Sequence, residues 1–221
     1  MTNSNRSENQ ERISTLTPED KEAIDEMIRE DAYLNGMYDE DNLDLDRLIG
    51  LTSDHAGHKM RHALCARLKK EGYMVADYGP ISDCSVDYTD YAHSMAIDID
   101  HGELKRGIAL CYTGNGMNMA LNRHNSVRSA LCWNTEIARL AREHNDANVC
   151  TLPANFVSPT EAENIMMTFI DTAFSNERRH ARRVAKINAD YENTNMEIEK
   201  VLTEIDNENI KKGITSQNHK I

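Results

Sequence analysis

The sequence predicts an α/β fold: a doubly wound, five-stranded, mostly parallel sheet with helices on both faces, plus helical extensions at either end. Three observations carry this. Short apolar runs such as Leu48–Ser53 and Gly107–Cys111 read as strands buried on both faces. Stretches with helical periodicity alternate with them, as a parallel sheet requires. The third run breaks into Thr113-Gly114-Asn115-Gly116 and then a helix start, which places a ligand loop at a strand's carboxyl end. There is no internal repeat.

Residues 1–46 form a polar to acidic extension. Its first 16 residues have the low hydrophobicity of disorder. Thr17-Pro18-Glu19-Asp20 then sets a helix start, with a cap residue, Pro at the first helical position and acids in the first turn. Ile24, Met27, Ile28 and Leu34 give that helix an apolar stripe, so it should dock on something. Tyr38 to Asp46 is an acidic connector.

Residues 47–188 carry the sheet. Leu48–Ser53 is the first strand, and Gly57 to Glu71 a helix closed by Gly72. Tyr73–Tyr78 is the second strand, followed by a helix over Asp90–Asp100. Gly107–Cys111 is the third strand, and Met117 to Leu121 opens a helix. Val127–Cys132 is the fourth, with a helix through Glu136–Glu143; Asn148–Leu152 is the fifth, with a helix near Pro159–Ala173. Beyond it, residues 189–221 form a helical extension and tail. Val184, Ile187, Tyr191, Ile198, Leu202 and Ile205 recur at roughly helical spacing, a packing or oligomer face.

A chain of 221 residues with 39% hydrophobic content can bury one sizeable core plus appendages. The formal net charge of −12 argues against nucleic acid or an anionic membrane as a partner, so an anionic substrate needs a local basic cluster. No apolar run approaches ~18 residues, and Met1 to Arg6 does not begin a signal peptide. Five cysteines (65, 84, 111, 132 and 150) with no Cys-x-x-Cys point to a reducing cytoplasm, not to disulfides or a zinc site.

The chemistry centres on Cys111, a thiol beside a glycine loop and a helix N-terminus, where unpaired N–H groups favour negative charge. That arrangement suits a base removing a carbon-bound proton while an oxyanion develops nearby. Bringing the thiol pKa from ~8.5 to ~7 requires about 2 kcal/mol, of which a helix terminus supplies ~0.3–1. The Thr113 hydroxyl or a nearby cation must supply the remainder. Taken alone, Cys111 reads equally well as a buried strand cysteine. The glycines do not make a dinucleotide fingerprint, because Met119 stands where a third Gly belongs, nor does Gly-Lys-Ser/Thr follow as in a P-loop.

Four further clusters fall near the expected crevice. Asp54-His55 follows the first strand, and Asp87-Tyr88-x-Asp90-Tyr91 follows the second. His144-Asn145-Asp146 ends the helix after the fourth strand. Arg178-Arg179-His180-Ala181-Arg182-Arg183 is a dense basic patch whose Arg179 and Arg183 share a helix face, two guanidinium forks suited to a phosphate. His58 and His62 lack a Glu or Cys partner at zinc-ligand spacing. Each cluster also has a plainer reading as a cap, a satisfied polar group or a charge-neutralising patch.

Together these motifs resemble the sugar-phosphate isomerases of the ribose-5-phosphate isomerase type B and galactose-6-phosphate isomerase family. The resemblance spans residues 47–188 through Ser53-Asp54-His55-Ala56-Gly57, Asp87-Tyr88-Thr89-Asp90-Tyr91-Ala92 and Cys111-Tyr112-Thr113-Gly114-Asn115-Gly116. His144-Asn145-Asp146-Ala147-Asn148-Val149 and Arg179-His180-Ala181-Arg182-Arg183-Val184 complete it. It implies a Rossmann-like fold and an aldose–ketose isomerase, with ribose 5-phosphate to ribulose 5-phosphate first and a hexose 6-phosphate (allose or galactose) as the alternative. Cys111 is then the base, working through an enediolate. Thr113 and the amides of Gly114, Asn115, Gly116 and on to Asn118 hold the oxyanion. His144 is the acid that opens the furanose ring, with Asp54 and Tyr88 near the ring oxygens. His55, Arg179 and Arg183 take the phosphate. The resemblance further implies a homo-oligomer, dimer or tetramer, whose sites borrow His144 and Asn145 from a neighbour, with no metal or coenzyme.

Two positions depart from the family pattern. Tyr112 stands where Gly usually follows the catalytic Cys, and Asn155 where an Arg usually binds phosphate. These departures, with the two extensions, are the case for a non-catalytic phosphosugar-binding protein. A nucleotide-binding oxidoreductase is the remaining reading, held back by the incomplete glycine fingerprint.

Overall fold

The structure, a computed structural model, describes residues 44–187 together with 202–204, 207 and 211. The helix expected after Thr17, the acidic connector as far as residue 43 and most of the apolar stripe beyond Ile187 lie outside the described residues.

Between residues 44 and 187, five strands and six helices follow one another: β1 (Leu48–Ser53), α1 (His58–Lys70), β2 (Met74–Asp77), α2 (Tyr88–His101), β3 (Arg106–Cys111), α3 (Asn115–Leu121), β4 (Ser129–Leu131), α4 (Thr135–Asn145), β5 (Val149–Pro153), α5 (Pro159–Asp171) and α6 (Arg178–Ile187). The strands form one sheet of order β2-β1-β3-β5-β4, and every pairing is parallel. The expected fold class is therefore the observed one. β3 is central, with Leu51 beside Ile108 on one side and Ile108 beside Cys150 on the other.

The strand period of two divides the core. Ile108 and Leu110 of β3 join Leu64, Leu68, Ile165 and Phe169 on the face covered by α1, α4 and α5. Ala109 and Cys111 join Met95, Ile99, Met117 and Leu121 on the face covered by α2 and α3. Cys111 thus points to the α2–α3 side because its neighbours in β3 alternate. This alternation fixes the direction of the Cys111 thiol.

Boundaries follow local chemistry. Gly72, at φ +79°, lies just past α1 as expected. α2 begins at Tyr88 rather than Asp90, because Asp87 is the extended cap residue before it. β4 is shorter than the predicted Val127–Cys132. The amides of Arg128 and Ser129 donate to the side chains of Asn148 and Asn122, not to a neighbouring strand. Ser158 caps α5 by accepting from the Glu161 amide, with Pro159 following it. Leu202, in a helical turn, is 1% exposed and packs with Ala181, so the apolar stripe docks at that point on α6 of its own chain.

Candidate active site

At the carboxyl ends of β1 and β3 the chain assembles one group of the expected residues. Cys111 closes β3 and is 5% exposed. Its sulfur faces the backbone amides of Met117, Gly114 and Thr113, and Asp54 lies close enough to act on it. Burial pushes the thiol's pKa up; the three amides oppose that, and the Asp54 carboxylate adds to it. The net direction is upward. The cation anticipated as an activator does not figure among the groups that move this thiol, so the free chain holds the proton more tightly than an ordinary cysteine.

The loop is shaped by contacts that the sequence only partly announces. Gly114 has φ +76°, and a Cβ there would run into Leu131 and stand 3.4 Å from the Leu152 backbone. Gly116 has no such dihedral; the Tyr88 ring lies over it, and a side chain there would have to displace that ring. Of the two glycines, one is needed for its backbone angle and the other leaves room for a movable ring. Thr113 Oγ1 accepts from the Asn115 amide at 3.3 Å. The Asn118 amide donates to the Gly114 carbonyl at 3.0 Å, which corrects the expectation that it helps to hold an oxyanion. Its side chain is the more useful part: Asn118 Oδ1 is buried without a hydrogen-bond partner, a cost that a ligand donor would remove.

Asp54 is buried and accepts the Gly57 amide at 3.0 Å, so its first oxygen is fixed by the turn into α1. His55, exposed beside it, accepts weakly from the Val86 amide at 3.4 Å through Nδ1. Asp54, His55, Tyr88, Cys111, Thr113, Gly114, Asn115, Gly116 and Asn118 therefore belong to one mouth.

The other expected residues do not. α4 runs back against the strands, and it ends where Asn148 gives its carbonyl to the Gly107 amide at the start of β3. His144 and Asn145, in its last turn, are thus separated from Cys111 by the length of β3, roughly 17 Å at ~3.3 Å per residue. α6 packs beside them. The His144 and His180 rings stack with centroids 4.2 Å apart, and Arg179 and Arg183 act electrostatically on His180. Arg179 also pairs with Glu177 at 2.8 Å. Sequence order had put both clusters near the crevice; within one chain they make a separate group at the opposite edge of the sheet.

The two departures lie at the mouth. Tyr112 neither fills the core nor closes over Cys111. It is 52% exposed and meets Phe156 edge to face at 5.9 Å. Asn155, also exposed, donates its amide to the Tyr112 carbonyl at 3.1 Å. On α1, His58 Nε2 and His62 Nε2 are 3.2 Å apart. Among the described residues, no group of three or more His, Cys, Asp or Glu is placed to hold a metal. Also among the described residues, no helix is long and apolar enough to cross a membrane.

Comparison with known proteins points to one family. A family model described as Ribose/Galactose Isomerase matches residues 49–187. The ribose-5-phosphate isomerase B of Escherichia coli is 33% identical over 64% of this chain and 94% of its own length. Among solved structures, a ribose 5-phosphate isomerase from Thermotoga maritima is 41% identical, covering 64% of this chain and 97% of that one with a TM-score of 0.62. Ribose-5-phosphate isomerase B of Clostridium thermocellum is 40% identical, covering 69% of this chain and 97% of its own, at a TM-score of 0.63.

Proposed function

Since this chain belongs to the Ribose/Galactose Isomerase family, we propose that its substrate pair is ribose 5-phosphate and ribulose 5-phosphate, interconverted with Cys111 as the base. It is a sugar-phosphate aldose–ketose isomerase. The observation that carries the reading of Cys111 is its seat: a nearly buried thiol facing three amides at the end of β3, beside Asp54.

In this reading the Cys111 thiolate takes the proton from carbon 2 of the open aldose. The C–H electrons form the carbon–carbon double bond of an enediolate as negative charge moves onto the carbonyl oxygen. The proton returns to carbon 1, the oxygen on carbon 2 becomes the new carbonyl, and its hydroxyl proton ends on the oxygen of carbon 1. Thr113 and the loop amides steady the charge that develops, and Asn118 Oδ1 accepts from a sugar hydroxyl. His144 opens the ring first, by giving a proton to the leaving ring oxygen, while the carbon 1 hydroxyl becomes the carbonyl and passes its proton to Asp54.

His144 and Cys111 lie at opposite edges of the sheet, so the reading requires a second copy. A homo-oligomer, dimer or tetramer, brings His144 and Asn145 of one chain to Cys111 of another, and Arg179 and Arg183 travel with them toward the phosphate opposite His55. All five cysteines are free, which suits a cytoplasmic site of action.

A longer substrate is the second reading. The exposed Tyr112–Phe156 pair and Asn155 change the mouth where the family's Arg would stand, and a hexose 6-phosphate carries its phosphate one carbon farther out. Solvent deuterium exchange at carbon 2 of ribose 5-phosphate, followed by proton NMR in wild type and Cys111→Ala, tests the reaction and its base together. Exchange with ketose formation, lost in the variant, is expected. A folded oligomer that exchanges no five- or six-carbon sugar phosphate is a binding protein instead.

A further inference from the structure

The ring stacked on His144 has no place in the chemistry described so far. His180 is 3% exposed in α6, and its ring lies 4.2 Å from that of His144, tilted by 37°. Its Nδ1 is 2.8 Å from Ser175 Oγ. Ser175 is itself fixed: its Oγ accepts the Glu177 amide at 3.3 Å, and its own amide donates to the Glu143 carbonyl, one residue before His144, at 3.1 Å. The Ser175 hydroxyl oxygen keeps a second lone pair and its proton, so the bond to His180 Nδ1 holds the ring whichever of the two atoms donates.

We infer that His180 is a positioning residue for His144, held in place by Ser175 so that its flat ring sets the plane of the ring-opening acid. The inference rests on the isomerase reading given above. Two independent constraints tie the pair. The stack fixes the His144 plane, and the Ser175 bridge from the last turn of α4 to the start of α6 fixes the distance between the helices.

The charges around the pair favour the same division of labour. Among the described residues, His144 faces His180 from α4, while Arg179 and Arg183 flank it on α6 and Glu177 stands just before that helix. Burial first, then the positive neighbours, hold His180 below the usual imidazole range; only Glu177 opposes them. Two cationic rings at this separation would repel.

The two directions of the reaction separate this role from a merely structural one. Ribose 5-phosphate must have its ring opened before carbon 2 can react. Ribulose 5-phosphate cannot close to a furanose, because its fifth oxygen carries the phosphate, so solvent exchange at its carbon 1 needs Cys111 and its loop but no ring opening. In the oligomeric enzyme, His180→Ala should lower kcat for the aldose roughly tenfold, with KM within about twofold and carbon 1 exchange in the ketose unchanged. His180→Phe, which restores a flat ring, should recover most of that loss. Ser175→Ala leaves the ring in place and should show the same split at roughly threefold, which decides the matter even if alanine at 180 does not fold. Equal losses in both directions, or a raised KM at unchanged kcat, would overturn the inference and make His180 a prop for the arginines. An inactive wild type would instead sink the isomerase reading itself.

Discussion

The Tyr88 ring occupies the space that a side chain at Gly116 would need: a Cβ there would stand 2.5 Å from Tyr88 Cζ and 2.7 Å from its hydroxyl. The helix after β2 and the loop after β3 therefore meet through a glycine. Tyr88 is partly exposed and can swing away, so Gly116→Ala should change stability by no more than about 1 kcal/mol. It should nevertheless lower kcat/KM roughly tenfold by displacing the hydroxyl from the sugar. In a Tyr88→Ala background the same substitution should have no further effect. Full additivity in that double-mutant cycle would show that the contact does not couple the two residues.

Cys111 should be a slow nucleophile in the free enzyme, because burial and Asp54 raise its pKa. Its rate of alkylation, and kcat/KM for the aldose, should climb with pH through and beyond neutrality. Asp54→Asn keeps an acceptor for the Gly57 amide but removes the charge. The alkylation midpoint should then move down toward the ordinary cysteine value. A midpoint that stays put would show that burial alone sets the thiol.

The same shift has a stability consequence. A thiol raised in the folded state favours folding while it is protonated. That contribution is complete below the ordinary cysteine range and disappears as pH rises through the folded-state value. Cys111→Ala should therefore reduce the loss of denaturant stability between neutral and strongly alkaline pH, measured by urea midpoints.

Asn155 faces solvent at the mouth and supplies only its backbone amide, to Tyr112. Asn155→Arg should lower KM for the sugar phosphate about tenfold or more, as one charge-assisted bond is worth ~1.5–3 kcal/mol. Steady-state kinetics check this, and an unchanged KM would show that the phosphate lies elsewhere.

The separation of Cys111 from His144 predicts subunit complementation. Cys111→Ala and His144→Ala should each be inactive alone. Mixed and reassembled as random dimers, they should regain roughly a quarter of wild-type activity, since half the molecules carry one intact site of two. No recovery on verified mixing would mean that each chain works with its own residues.

Much of this was legible without coordinates. Alternating strand and helix patterns identified the sheet, because burial on both faces forces continuous apolar runs such as Gly107–Cys111. The order of motifs placed Asp54, Tyr88 and Cys111 at strand ends, which in a parallel sheet share one edge. Only the three-dimensional arrangement decided the rest. It showed that Gly116 answers to a ring distant in sequence, that the Asn118 amide is committed to helix while its side-chain oxygen is not, and that Tyr112 stands at the mouth against Phe156. It sent His144 to the far edge and laid His180 upon it. The physical reason is one of range. Periodicity and turn chemistry act over a few residues and are written locally, whereas which rings and carboxylates meet depends on crossovers that bring together segments tens of residues apart.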